Sequence, residues 1–130
     1  MAYTILSIED QPDIRRLIRM TLEFKGYEVV EAGDGEEGLA LARRSPPDLI
    51  LLDVMMPGMD GHEVARQLHA DPRTNEVPVV MISALGQTSE IEAGLLSGAQ
   101  HYLVKPFSPW ALLDITAQLV RRAPTQEQPA

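Results

Sequence analysis

The chain has 130 residues, one ordinary domain's worth, and no cysteine, which excludes disulfides, thiolate chemistry and Cys-ligated metal centres. Nineteen acids against eleven Lys and Arg give a net charge of −8, which opposes direct contact with a nucleic-acid backbone. The 45% hydrophobic content is that of a globular protein, and no stretch approaches the roughly 20 apolar residues that a membrane crossing needs.

Met1 to Thr4 leads straight into an apolar run without the basic and long apolar regions of a signal peptide, so the expected location is cytoplasmic. Ile5-Leu6-Ser7-Ile8 reads as a first strand and ends in Glu9-Asp10. Ile14, Leu17, Ile18, Thr21 and Leu22 then fall at helical spacing, opened by Gln11-Pro12-Asp13 and stopped by Gly26. Tyr27 to Glu31 is a more polar strand suited to a sheet edge, and Glu36 to Arg44 a second helix ended by Ser45-Pro46-Pro47. Leu49-Ile50-Leu51-Leu52 runs into Asp53, Met56-Pro57-Gly58 breaks the chain, and a helix is expected from about Gly61 to Ala70 before the Asp71-Pro72 loop. Val79-Val80-Met81-Ile82 ends in Ser83, a glycine-interrupted helix is expected over about Ser89 to Ser97, and Tyr102-Leu103-Val104 ends in Lys105-Pro106. The last helix starts at Ser108-Pro109, where serine is a favoured N-cap and proline a favoured first residue, and closes on Arg121-Arg122. Residues 123–130 lack periodicity and read as a disordered tail or the stub of a linker.

Five strand–helix units imply a doubly wound parallel α/β sheet with helices on both faces, because right-handed crossovers cover both sides. In such folds the site lies at the carboxyl ends of the strands. Glu9, Asp10, Asp53, Ser83 and Lys105 would then converge. Clustered carboxylates repel unless a cation neutralises them, and a hard, oxygen-seeking Mg²⁺ suits them; the Lys105 ammonium can hold a second anion such as a phosphoryl group. The histidines His62, His69 and His101 lack metal-binding spacing and are expected on separate elements.

Gly33-Asp34-Gly35-Glu36-Glu37-Gly38 follows a strand, opens a helix and has the dinucleotide-binding pattern GxGxxG. Three acids stand where a pyrophosphate would approach, and the unit is the second of the fold, so a tight turn and room for a helix N-terminus are the better reading. An aspartate-based phosphohydrolase would also use Asp53 and Mg²⁺. Its usual second acid, two residues on, is here Met55, which cannot transfer a proton.

From about Tyr3 to Arg122 the chain resembles the receiver domain of two-component response regulators. The likeness rests on Glu9-Asp10, the run Leu49 to Gly58, Ser83-Ala84, and Gly98 to Phe107. It departs from many members at Glu9, commonly Asp, and at Ser83, commonly Thr. The resemblance implies a receiver domain over residues 1–122 with strand order 2-1-3-4-5, acting as a phosphorylation switch rather than a turnover enzyme. Asp53 would accept a phosphoryl group from a sensor histidine kinase or a histidine phosphotransfer protein. Asp10, Asp53, the Met55 carbonyl and, through water, Glu9 would hold Mg²⁺. Lys105 would pair with the phosphoryl group, Ser83 would donate a hydrogen bond to it, and Tyr102 would report the change by rotating. An effector or a second copy would meet the face formed by the segment Ser89–Ser97, the fifth strand and the last helix. A cis Lys105–Pro106 bond is implied too. Apolar Met55 and Leu85, where polar groups could orient water, imply slow self-dephosphorylation.

Overall fold

The structure, a computed structural model, describes residues 2–83 and 101–120. In chain order they form β1 (Thr4–Ile8), α1 (Pro12–Phe24), β2 (Glu28–Ala32), α2 (Gly35–Arg44), β3 (Leu49–Asp53), α3 (Gly61–Ala70), β4 (Val79–Ser83), β5 (His101–Val104) and α4 (Pro109–Val120). All strand pairs are parallel, in the order β2-β1-β3-β4-β5, so β1, β3 and β4 are central and the polar strand β2 is an edge, as the sequence predicts. The expected helix over Ser89–Ser97, the Arg121-Arg122 helix end and the tail lie outside the described residues.

Period-two alternation explains two apolar layers. Leu6, Ile8, Ile50, Leu52 and Met81 face α2 and α3, while Ile5, Leu49, Leu51, Val80 and Ile82 face α1 and α4. Most of these side chains are fully buried, and each contributes about 1.5–3 kcal/mol. Helix α1 sends Ile18 and Leu22 into the second layer and ends at Gly26, whose φ of +88° is the left-handed turn that glycine accepts readily. Tyr27 still donates its N–H to Leu22 O at 3.2 Å, within this helix end. For that reason β2 begins one residue later than the pattern suggests.

The GxGxxG segment proves to be a packing and capping device. Asp34, the N-cap of α2, accepts through Oδ1 from the Glu37 N–H at 2.8 Å, and Glu37 Oε1 reaches back to accept from the N–H of Gly33, the residue before the cap, at 2.8 Å. The helix N-terminus that would greet a phosphate is thus filled by the chain's own carboxylates. A Cβ on Gly35 would lie 2.7 Å from Val64 Cγ2, and one on Gly38 would lie 2.7 Å from Ile8 Cγ1. Close approach of α2 to α3 and β1 therefore requires these glycines. The tight turn is there too: only Gly33 and Asp34 separate the end of β2 from the start of α2, and the turn is made without a positive φ at any of these glycines.

The histidine expectation is corrected. His62 and His69 share α3, seven positions apart, while His101 lies on β5.

Candidate functional site

The register places the predicted residues on one edge. Ile8 pairs with Leu52, Asp53 with Ile82, and Ser83 with Val104, so β1, β3, β4 and β5 all end at the same level. Glu9-Asp10 continues β1, Asp53 and Ser83 are the last residues of their strands, and Lys105 follows β5. Glu9, Asp53 and Ser83 are buried; Asp10 and Lys105 are half-buried.

One carboxylate oxygen from each of Glu9, Asp10 and Asp53 lies within 4.8 Å of the others. Lys105 Nζ stands over them, 3.4 Å from Glu9 Oε1 and 3.6 Å from Asp53 Oδ1. Its backbone N–H donates to Ser83 O at 2.7 Å, which ties the lysine to the end of β4, and the Lys105–Pro106 bond is cis as expected. Asp53 Oδ1 also accepts from the Met55 N–H at 3.2 Å. Met55 itself is 61% exposed at the mouth of the site, whereas Met56 points into the core. Tyr102 is half-buried and packs against the α2/α3 layer. Leu85 lies outside the described residues.

One ammonium cannot neutralise three carboxylates. Burial, then the neighbouring Asp53 charge, raises the Glu9 carboxyl from 4.5 to about 7, and burial raises Asp53 too, against the opposing pull of Lys105. With both acids ionised neither can donate, and Glu9 Oε1 and Asp10 Oδ1 are buried without hydrogen-bond partners. A proton on Glu9 lets it donate to Asp53; a divalent cation would serve all three acids together. This donor set, oxygen only and under-neutralised, fits Mg²⁺.

Sequence reasoning missed three supports. The Gln11 N–H donates to Glu9 Oε2 at 3.1 Å and its side-chain oxygen lies 3.4 Å from Lys105 Nζ. Arg15 donates to Glu9 O at 2.9 Å, a contact that the one-turn spacing from Gln11 could have suggested. Gly61 packs under the strand end: a Cβ there would lie 2.6 Å from Asp53 O and 2.7 Å from Val54 Cα. Nothing local in the sequence marks that contact.

The family model for the response regulator receiver domain matches residues 5–117. The chain belongs to that family, the phosphoacceptor switch of two-component systems. Among its relatives is the DNA-binding dual master transcriptional regulator RpaA of Synechocystis sp., 46% identical over 118 residues that cover 91% of this chain and 49% of that protein. The chain therefore spans about half the length of the curated relatives it matches. A putative response regulator from Chloroflexus aurantiacus superposes with a TM-score of 0.90 at 33% identity, over 94% of this chain and 100% of that one. The receiver domain of the sensor histidine kinase PA1611 from Pseudomonas aeruginosa, solved with a magnesium ion coordinated in its active-site cleft, does so with a TM-score of 0.87 at 30% identity, covering 93% and 99%. Neither the phosphohydrolase nor the dinucleotide-binding alternative gains support. No described helix is long and apolar enough to cross a membrane.

Proposed function

We propose that Asp53 is the phosphoacceptor of this receiver domain. The observation that carries the reading is the shared edge itself, where a buried carboxylate at a central strand end faces two further acids and one ammonium. An Asp53 carboxylate oxygen attacks the phosphorus of a partner's phosphohistidine; the new P–O bond forms as the P–N bond breaks, and the freed imidazole takes up a proton. Lys105 moves from pairing with Glu9 and Asp53 to pairing with a phosphoryl oxygen. Ser83, at the neighbouring strand end, donates its hydroxyl to another. Glu9, Asp10, Asp53 and the Met55 carbonyl would hold Mg²⁺, which when bound neutralises the charge gathered on these oxygens. Tyr102, packed between solvent and core beside Met81, is the group whose rotation reports the new Ser83 contact.

The donor is a sensor histidine kinase or a histidine phosphotransfer protein, and the output surface includes β5 and α4. RpaA is named as DNA-binding and is about twice the length of the matched region. The net charge of −8 makes this chain a poor surface for DNA, so in a longer protein of that kind we assign DNA contact to the part beyond the match. The domain acts as a cytoplasmic switch that turns over slowly, over residues 1–122. The test is intact mass after incubation with Mg²⁺ and acetyl phosphate. One phosphoryl group is expected on the wild type and none on Asp53→Ala, with unchanged labelling in the variant refuting the assignment.

A further inference from the structure

Exposure divides the described methionines into two groups. Met56 and Met81 lie in the core, 7% and 0% exposed, and the sulfur of half-buried Met59 accepts from Gln67 Nε2 at 3.9 Å. Met20 and Met55 are open to solvent, at 63% and 61%. Met20 sits on α1, away from the strand ends, whereas the Met55 N–H donates to Asp53 Oδ1 at 3.2 Å. An exposed thioether is thereby anchored through its own backbone beside the buried carboxylate of the site. Its neighbour Met56 carries the same side chain turned inward, so access alone separates the two.

A thioether sulfur is a weak hydrogen-bond acceptor and holds a water molecule poorly. The sulfoxide is polar, and the change is reversible. In its formation the sulfur lone pair attacks one oxygen of a peroxide, and the S–O bond forms as the O–O bond breaks. Sulfur gives up two electrons; the departing hydroxide takes the proton of the transferred hydroxyl and leaves as water. Hydrolysis of an acyl phosphate on Asp53 needs a water held in line with the bond that breaks. Glu9, Asp53 and Ser83 are buried and Lys105 lies over the carboxylates, so solvent arrives past the exposed side chain of Met55. A sulfoxide oxygen at that point accepts a hydrogen bond from the incoming water and places it, which is the larger part of what this hydrolysis lacks.

We propose that Met55 is a redox modification site: a small peroxide converts it to the sulfoxide and shortens the life of the phosphorylated form, and a methionine sulfoxide reductase restores both side chain and lifetime. The inference rests on Asp53 as the phosphoacceptor.

The test uses Met20→Leu as its background, which removes the other exposed thioether at a position away from the site. This protein is treated with hydrogen peroxide, mapped by fragment mass, labelled with acetyl phosphate in Mg²⁺ buffer and followed by intact mass after removal of the donor. Met55 should be oxidised about tenfold or more faster than Met56 and Met81. The oxidised phosphoprotein should decay roughly two- to tenfold faster than the unoxidised one, and reductase treatment should reverse the difference. In the Met20→Leu, Met55→Leu double variant the decay should be the same with and without peroxide. Oxidation of Met55 no faster than of Met56 overturns the proposal, as does an unchanged or longer lifetime of the oxidised form, or an equal response to peroxide in the double variant. If the unoxidised protein takes no label on Asp53, the phosphoacceptor reading fails and this inference with it; a labelled protein whose lifetime peroxide leaves unchanged refutes this inference alone.

Discussion

Replacing Glu9 by Gln removes one negative charge from the buried cluster and keeps its shape. In the metal-free protein the Glu9 carboxyl is raised from 4.5 to about 7, first by burial and then by Asp53. The folded state therefore keeps a proton that the unfolded chain releases near its ordinary value. Stability from this group is fully present below about pH 4.5 and is lost as the pH rises through about 7. Taken at face value the rise is worth about 3 kcal/mol; water reaching the site from its open side reduces that to ~1–2 kcal/mol. Asp53, also raised by burial, adds a loss of the same sign that remains in the variant. The assay is urea unfolding at pH 5 and pH 8, without metal and with Mg²⁺. Wild type should lose stability between the two pH values, and Glu9→Gln should lose ~1–2 kcal/mol less. Mg²⁺ should shrink the wild-type loss by binding only the folded, ionised cluster. Because the two proteins differ at one residue, titrating groups remote from the cluster cancel in the comparison, and the difference reads Glu9 together with its coupling to Asp53. Equal losses in wild type and variant without metal would refute the view that Glu9 is held protonated by its neighbours.

Gly61→Ala should cost about 2 kcal/mol in thermal or urea unfolding and slow acetyl phosphate labelling, because the new methyl would stand 2.6 Å from Asp53 O and backbone cannot yield as a side chain can. Gly58→Ala is the contrasting case: nothing lies within 4 Å, but φ is +80°, so a stability loss of ~1 kcal/mol is expected with labelling nearly unchanged. Met55→Asn puts an amide at the exposed mouth beside Asp53, where it can orient attacking water. The phosphoprotein, followed by mass after removal of donor, should decay several-fold faster, roughly fivefold for about 1 kcal/mol of transition-state positioning.

The sheet and most element boundaries were legible because they rest on local causes. Leu49–Asp53 and Gly61–Ala70 match their expected bounds, since an apolar run closed by a polar residue and a helix capped by Asp60 need no distant partner. The side-chain oxygen of Ser108, the expected N-cap, accepts from the Ala111 N–H at 3.0 Å. Glu9, Asp10, Asp53, Ser83 and Lys105 could be read as one cluster because parallel strands of nearly equal length end at a common level. What the sequence alone could not decide are the contacts between residues far apart in the chain. The glycines of Gly33 to Gly38 satisfy a nucleotide-binding pattern on paper, and only the approach of Ile8 and Val64 reveals them as spacers. Gln11 looks like an ordinary residue before a helix until folding brings Lys105, 94 positions away, to 3.4 Å from its side chain. The charge balance belongs to tertiary structure too: an acidic pair is unremarkable in water, and burial beside Asp53 is what pushes Glu9 up to about 7. Spacing along the chain determines which groups can share an edge; desolvation and distance, set by packing, determine what those groups do to one another.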